Sequence, residues 1–169
     1  THTRFHAGFR SQIAVRGYRD LYLFNPGGFL LYSVNKGEDF GTNFTEGPHA
    51  QSSLGQLFAR AVAIENPDEA VFADFAPYAA AGNLAGSFFA KPVFNAQGRK
   101  IGVVAFQVPS ERLDAVIGDR TGLGETGEVL VVGADGLLRS DSTFSDTGDV
   151  LQTNFAGSML DEAIAGQAS

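Results

Sequence analysis

The chain contains no cysteine and no tryptophan, has a single methionine, and holds no apolar run of 18 residues. Without cysteine, disulfide scaffolds, thiolate zinc sites and cysteine nucleophiles are all excluded. Without a long apolar run, no segment reads as a membrane-spanning helix. Basic residues are scarce as well, 12 Lys and Arg against 19 Asp and Glu, for a net charge of −7. Phosphate recognition needs a concentrated positive surface, so nucleic acid is not expected as a partner. Three scattered histidines give no Ser-His-Asp arrangement, and no paired carboxylates stand in an apolar stretch. The chain is therefore read as a non-enzyme without a cofactor. It opens on Thr1-His-Thr-Arg, which is neither an initiating segment nor a signal peptide, and so reads as trimmed from a longer protein.

What is present is apolar and aromatic. Hydrophobic residues make up 44% of the 169, with 15 phenylalanines among them. That length suits one domain, or one domain with part of another, burying roughly 70% of its extended-chain surface.

An internal echo organises the chain. Tyr22-Leu-Phe-Asn-Pro-Gly-Gly-Phe-Leu-Leu-Tyr-Ser33 returns in altered form as Leu130-Val-Val-Gly-Ala-Asp-Gly-Leu-Leu-Arg-Ser-Asp141, which sets Gly28 on Gly136. Thr42-Asn43-Phe44 returns as Thr153-Asn154-Phe155. Two matches in the same order and at nearly the same offset indicate one structural module used twice. The second copy meets Ser169 before it can be complete.

Apolar spacing predicts a helix tail over 5–17 with Gly17 as its stop, and a second helix over 52–64 ended by Asn66-Pro67. Strands are predicted at 19–24 and 29–34, joined by Asn25-Pro-Gly-Gly28, then at 71–75, 87–94 and 100–108. Residues 76–85, rich in Ala and Gly, read as a loop, and 109–117 as a short linking helix. The resulting class is α+β: a five-stranded antiparallel sheet interrupted and covered by helices. Strands apolar on nearly every residue need cover on both faces. The N-terminal helix is expected on one face, and the second helix with the 76–85 loop on the other.

Several stretches resemble the double Cache sensor domains of bacterial receptors, chiefly methyl-accepting chemotaxis proteins and related sensor kinases. They are Arg19-Asp-Leu-Tyr-Leu-Phe24, Asp39-Phe-Gly-Thr-Asn-Phe44, Phe72-Ala-Asp-Phe-Ala-Pro-Tyr78, and Gly122-Leu-Gly-Glu-Thr-Gly-Glu128 with Val132-Gly-Ala-Asp-Gly-Leu-Leu-Arg-Ser-Asp-Ser142. The resemblance covers roughly residues 5–145. It implies PAS-like modules: the end of an N-terminal helix over 1–17, a first, membrane-distal module over 18–118, and a linker with an incomplete second module over 119–169. It also implies a periplasmic sensing domain of a membrane-anchored receptor, dimeric through long helices, whose flanking transmembrane helices are absent from this chain. The partner implied is a small-molecule ligand; the alternative is a spacer or dimerisation module that binds no solute. The amino-acid-sensing members share a pattern with a Trp-Tyr pair. This chain has no Trp, so no ligand residues are carried over from that pattern.

The residues themselves point to Phe72–Tyr78 as the place for ligand contact, with 76–85 as its lid. Asp74, between Phe72 and Phe75, would cost several kcal/mol to bury unpaired. It either meets a ligand or orders the loop. Tyr78 offers an aromatic wall with a polar tip, or simple packing. Lys91 either meets an anionic ligand or extends to solvent. Tyr32 and Lys36 leave the second strand towards the same side.

Other motifs carry less. Gly122-x-Gly124-x-x-Gly127 has the spacing of a dinucleotide fingerprint but is followed by a strand, where a helix is required. His2 and His6 have helical metal spacing without a third ligand. Asp141, Asp146 and Asp149 lack the glycine and terminal glutamate of a calcium loop.

Overall fold

A computed structural model describes residues 2–166. The chain divides into two compact units, Thr1–Pro109 and Ser110–Ser169.

In the first unit, helix α1 (His2–Arg16) leads into strands β1 (Asp20–Phe24) and β2 (Leu30–Ser33). Helix α2 (Ser53–Ala63) follows, then β3 (Val71–Tyr78), β4 (Leu84–Phe94) and β5 (Lys100–Pro109). The strands form one antiparallel sheet in the order β2-β1-β5-β4-β3. The α+β class and the five-stranded sheet expected from the sequence are those observed.

Each boundary has a local cause. Helix α1 ends at Gly17, whose φ of +67° suits a residue without a Cβ. There Tyr18 N–H bonds the Ile13 carbonyl (2.9 Å) and Gly17 N–H that of Ala14 (3.2 Å), the paired closure that satisfies terminal carbonyls. Helix α2 begins at Ser52, whose Oγ accepts from Gly55 N–H at 3.1 Å. Its last turn is tied by Lys100, whose Nζ donates to the Val62 carbonyl at 2.6 Å and pairs with Glu65 at 3.1 Å.

Alternation along the strands sorts the core into two layers. Tyr22, Phe24, Phe88, Ala90, Val103 and Ala105 face Leu54, Leu57, Phe58 and Ala61 of α2. On the other face Leu21, Tyr32 and Val34 pack with Ile13 and Phe9 of α1. The helices thus cover opposite faces, as the two-sided apolar strands require. Leu54 and Leu57, fully withdrawn from water, each contribute about 2 kcal/mol.

Residues 76–85 are not the open loop that their Ala and Gly content suggested. Strand β3 continues to Tyr78, a 3-10 turn spans Ala79–Ala81, and β4 resumes at Leu84. Pairing of Ala76 with Gly86 and of Tyr78 with Leu84 carries the ladder through, past a bulge between Ala73 and Ala76. Gly82 (φ +70°) and Asn83 (φ +60°) make the tight reversal possible. Pro77 fits because β3 is an edge strand, where a missing N–H costs no ladder bond.

Close packing of α2 gives a test. A Cβ on Gly55 would lie 2.5 Å from the Ala50 carbonyl oxygen and closer still to that of His49. Both obstacles are main chain. We expect Gly55→Ala to lose about 2 kcal/mol in urea unfolding, because overpacking of this kind outweighs the roughly 1 kcal/mol that alanine gains in helix propensity.

In the second unit, α3 (Ser110–Ile117) and α4 (Ser158–Ile164) accompany a hairpin held by isolated bridges. The sequence echo is also an echo of hydrogen bonds. Phe44 N–H donates to the Gly28 carbonyl at 2.8 Å, and Phe155 N–H to that of Gly136 at 2.8 Å. Leu30 N–H meets the Thr42 carbonyl, and Leu138 N–H that of Thr153, both at 3.0 Å. Gly28 and Gly136 share φ values of +86° and +81°. Even the acid that opens the first strand recurs. Asp20 accepts from the Val34 and Asn35 amides after β2, and Glu128, 108 positions on, accepts from the Thr143 amide and the Ser142 hydroxyl.

Candidate functional site

At the end of the sheet that α2 leaves uncovered, on the α2 face, lies a cavity of about 190 Å³. Its floor is strand: Asp20 and Tyr22 from β1 and Gln107 from β5 share one face by alternation and by the pairing of Asp20 with Gln107. Its walls are connections: Asn35, Gly37 and Asp39 after β2, and Ala80, Ala81 and Leu84 around the 3-10 turn. These two connections meet, since a Cβ on Gly37 would lie 2.9 Å from the Ala80 carbonyl oxygen. Clefts for drug-sized ligands run roughly 300–1,000 Å³, so any occupant here is smaller.

The polar groups of this cavity are buried and unequally satisfied. Asp20, 4% exposed, accepts from the amides of Leu21 (2.7 Å) and Val34 (2.8 Å) and, more distantly, Asn35. Burial raises its pKa, and these amides oppose the rise. Asp39, 2% exposed, takes the Tyr78 hydroxyl on Oδ2 at 2.6 Å, while no donor among the described residues meets Oδ1. Burial, and then the Asp39 charge, push the Tyr78 phenol far above its usual range. It therefore remains a donor, and Asp39 its acceptor. Gln107, 1% exposed, accepts the Tyr22 hydroxyl on Oε1 at 3.1 Å. Its Nε2 is buried without any partner. A buried donor left unmet costs about 1–3 kcal/mol.

Of the residues the sequence singled out, Tyr78 reaches this place, standing behind Asp39 and edge-on to Phe88 at 5.1 Å. Phe75 is buried beside the β3 bulge. Asp74 and Phe72 are exposed and line a separate shallow groove with Arg60 and Ser53 of α2; there the Arg60 guanidinium donates to the Phe72 carbonyl at 2.7 Å. Asp74 accepts the Phe75 amide at 2.7 Å, a bond that orders the bulge. Lys91 alternates with Ala90 onto the α1 face and lies 4.0 Å from Asp68. Tyr32 is also on that face, against Phe9 and with its hydroxyl 2.8 Å from His6 Nδ1. Lys36 is exposed in the turn after β2 with φ of +51°.

Asp20, Asp39, Tyr22 and Gln107 were not picked out from the sequence. One signal was available: Gln107 shares a strand face with Ala105 and Val103, so a polar residue stands at an inward position. Asp20 stands likewise with Tyr22 and Phe24. The His2 side chain lies outside the described residues, and no group of three His, Asp or Glu suited to a metal occurs among those described.

No family model and no curated protein matches the chain. Solved structures do. An extracellular ligand-binding receptor from Desulfohalobium retbaense DSM5692 matches with TM-score 0.57 and 14% identity, over 88% of this chain and 24% of its own. The ligand-binding domain of the Pseudomonas fluorescens chemoreceptor CtaA, in complex with L-serine, gives 0.53 and 18%, over 82% and 53%. The sensor domain of the V. cholerae histidine kinase DctB gives 0.52 and 19%, over 83% and 52%. The chain spans about half of the last two and about a quarter of the first. With its five-stranded sheet between two helices and these matches, the chain has the PAS-like fold of Cache-type ligand-binding domains in chemoreceptors and sensor kinases.

Proposed function

We propose that this chain is the extracytoplasmic sensing part of a transmembrane chemotaxis or signal-transduction receptor, at the periplasmic face of a bacterial inner membrane, and that its first unit binds a small solute without transforming it. The observation that carries the reading is a buried donor in the cavity wall that no acceptor meets, Gln107 Nε2. A wall used only for packing would have this amide paired internally, since buried polar atoms almost always are. The likeness to domains named for ligand binding and sensing supports the same reading.

A solute bridging the strand floor and the Ala79–Ala81 turn would tie β1 and β5 to the connection between β3 and β4. A ligand biases such an equilibrium only by its differential affinity, about 1.4 kcal/mol for each tenfold preference. The exposed Val15 and Phe5 on α1 favour a homodimer through that helix in the complete receptor.

Thermal-shift screening of amines, amino acids, organic acids, purines and sugars tests the assignment. At least one class is expected to raise the melting temperature of the wild type by several degrees, and to lose most of that shift in Gln107→Leu. Silence across the whole panel, with the variant folded, would instead assign the unit as a spacer or dimerisation module.

A further inference from the structure

We propose that the first unit holds a second binding site, in the angle between α1 and the sheet, which takes a small aromatic monocarboxylate. This groove is separate from the cavity on the α2 face, so it stands or falls independently of the sensing reading of that cavity.

The groove measures about 330 Å³, at the lower end of the range for ligand clefts. It exists because α1 packs against Leu21, Tyr32 and Val34 of the β1–β2 side, while strand order sets β5 and β4 beyond β1. Cross-strand pairing continues the row of Leu21 through Phe106 to Phe89, so two phenylalanines stand side by side on the face next to α1. Their rings stack with centroids 5.1 Å apart and planes 20° apart. Tyr18, in the turn after α1, closes one end, 5.0 Å from Phe106 and 5.5 Å from Phe89. Phe9 supplies the wall on α1. All four rings remain partly open to solvent. A flat ring entering the groove meets them in the offset and edge-to-face arrangements that aromatic groups prefer.

The charge of the occupant follows from the rim. Gln12 and Arg16, three and seven positions after Phe9, fall on the same stripe of α1 and line the groove with it. Arg16 makes no hydrogen bond or ion pair among the described residues. Nor is it needed to close the helix, because the Ile13 and Ala14 carbonyls already receive the Tyr18 and Gly17 amides. No acid lines the groove. In a chain with 19 acids against 12 bases, a groove whose one charge is positive favours an anion. A carboxylate suits a guanidinium, since two parallel N–H···O bonds match its geometry and charge-assisted bonds are roughly twice as strong as neutral ones. A second anionic group would lie on the aromatic floor without a partner, so the occupant carries one. Once bound, its ring would join α1 to β5 and β4.

Amide NMR titration of the isotopically labelled full chain with phenylacetate, phenylacetamide and cyclohexylacetate tests this. Phenylacetate is expected to move the amides of Gln12, Tyr18, Phe89 and Phe106 and to leave those of Asp39 and Ala80 in place. It should bind at least tenfold more tightly than phenylacetamide, and more tightly than cyclohexylacetate. Arg16 is exposed, so Arg16→Gln should fold normally. That variant is expected to lose the preference for acid over amide while binding phenylacetamide as the wild type does. Equal binding of acid and amide, a preference that survives in Arg16→Gln, or cyclohexylacetate binding as tightly as phenylacetate would each overturn the proposal. Shifts confined to Asp39, Ala80 and their neighbours would also overturn it, while supporting the sensing reading of the other cavity. Groove amides that shift with protein concentration and not with ligand would assign the groove to contact between two copies, and overturn it likewise. Absence of binding by all three probes overturns this site and leaves the sensing reading to its own thermal-shift panel.

Discussion

Phe88→Ala is expected to lower the unfolding free energy of the first unit by about 4 kcal/mol, the cost of emptying a fully buried phenylalanine site. Phe88 has no exposed surface and sits on the central part of the sheet, with ring centroids 6.1 Å from Tyr22 and 5.1 Å from Tyr78. Those two tyrosines carry the hydroxyls that hold Gln107 and Asp39. The alanine variant therefore loses packing and also loosens the groups that shape the cavity. Domains of this size have only about 5–15 kcal/mol to lose. With urea m-values of about 1–3 kcal/mol/M, the midpoint should fall by roughly 2 M. A shift below about 0.5 M would mean that the aromatic layer does not support the site.

Asp20→Ala is expected to cost about 3 kcal/mol at neutral pH, because the amides of Leu21, Val34 and Asn35 would lose their acceptor in a buried position. Asp20→Asn isolates the titration, since asparagine retains one acceptor oxygen and carries no charge. Burial raises the native pKa of Asp20 above its ordinary 3.8. As pH rises, the unfolded chain loses this proton before the native protein does. The stabilisation linked to the proton is therefore complete below about pH 3.8 and disappears as pH climbs through the raised native value. The stability of the wild type relative to Asp20→Asn should consequently fall between pH 3.5 and 7, read as urea midpoints at each pH. A relative stability that rose over that interval would mean that the amide bonds outweigh desolvation.

How far the site was legible follows from the range of its interactions. The Phe72–Tyr78 stretch drew attention because Asp74 interrupts apolar neighbours. In the structure Asp74 is exposed at the bulge, and the equivalent tension is carried by Gln107 and Asp20. Alternation marks both as inward-facing. It does not reveal that their strands lie side by side, since their pairing spans 87 positions of sequence. Asp39 was less visible still. It lies in an irregular connection without periodicity, and its burial depends on Tyr78, 39 positions away.

The sequence by itself determined the elements whose causes are local. Gly17 stops α1, Ser52 starts α2, the apolar stripe of α2 faces the sheet, and Gly28 and Gly136 shape equivalent turns. The repeat was equally legible, because the same turn chemistry and the same return segment were written twice. Tertiary structure alone decided which polar groups would share a cavity. Strand order places β1 next to β5, the extended ladder turns 76–85 into a compact 3-10 reversal, and alternation sends Lys91 and Tyr32 to the α1 face. The physical reason is that hydrogen-bond need is local to a residue, whereas its satisfaction depends on whatever the fold brings alongside.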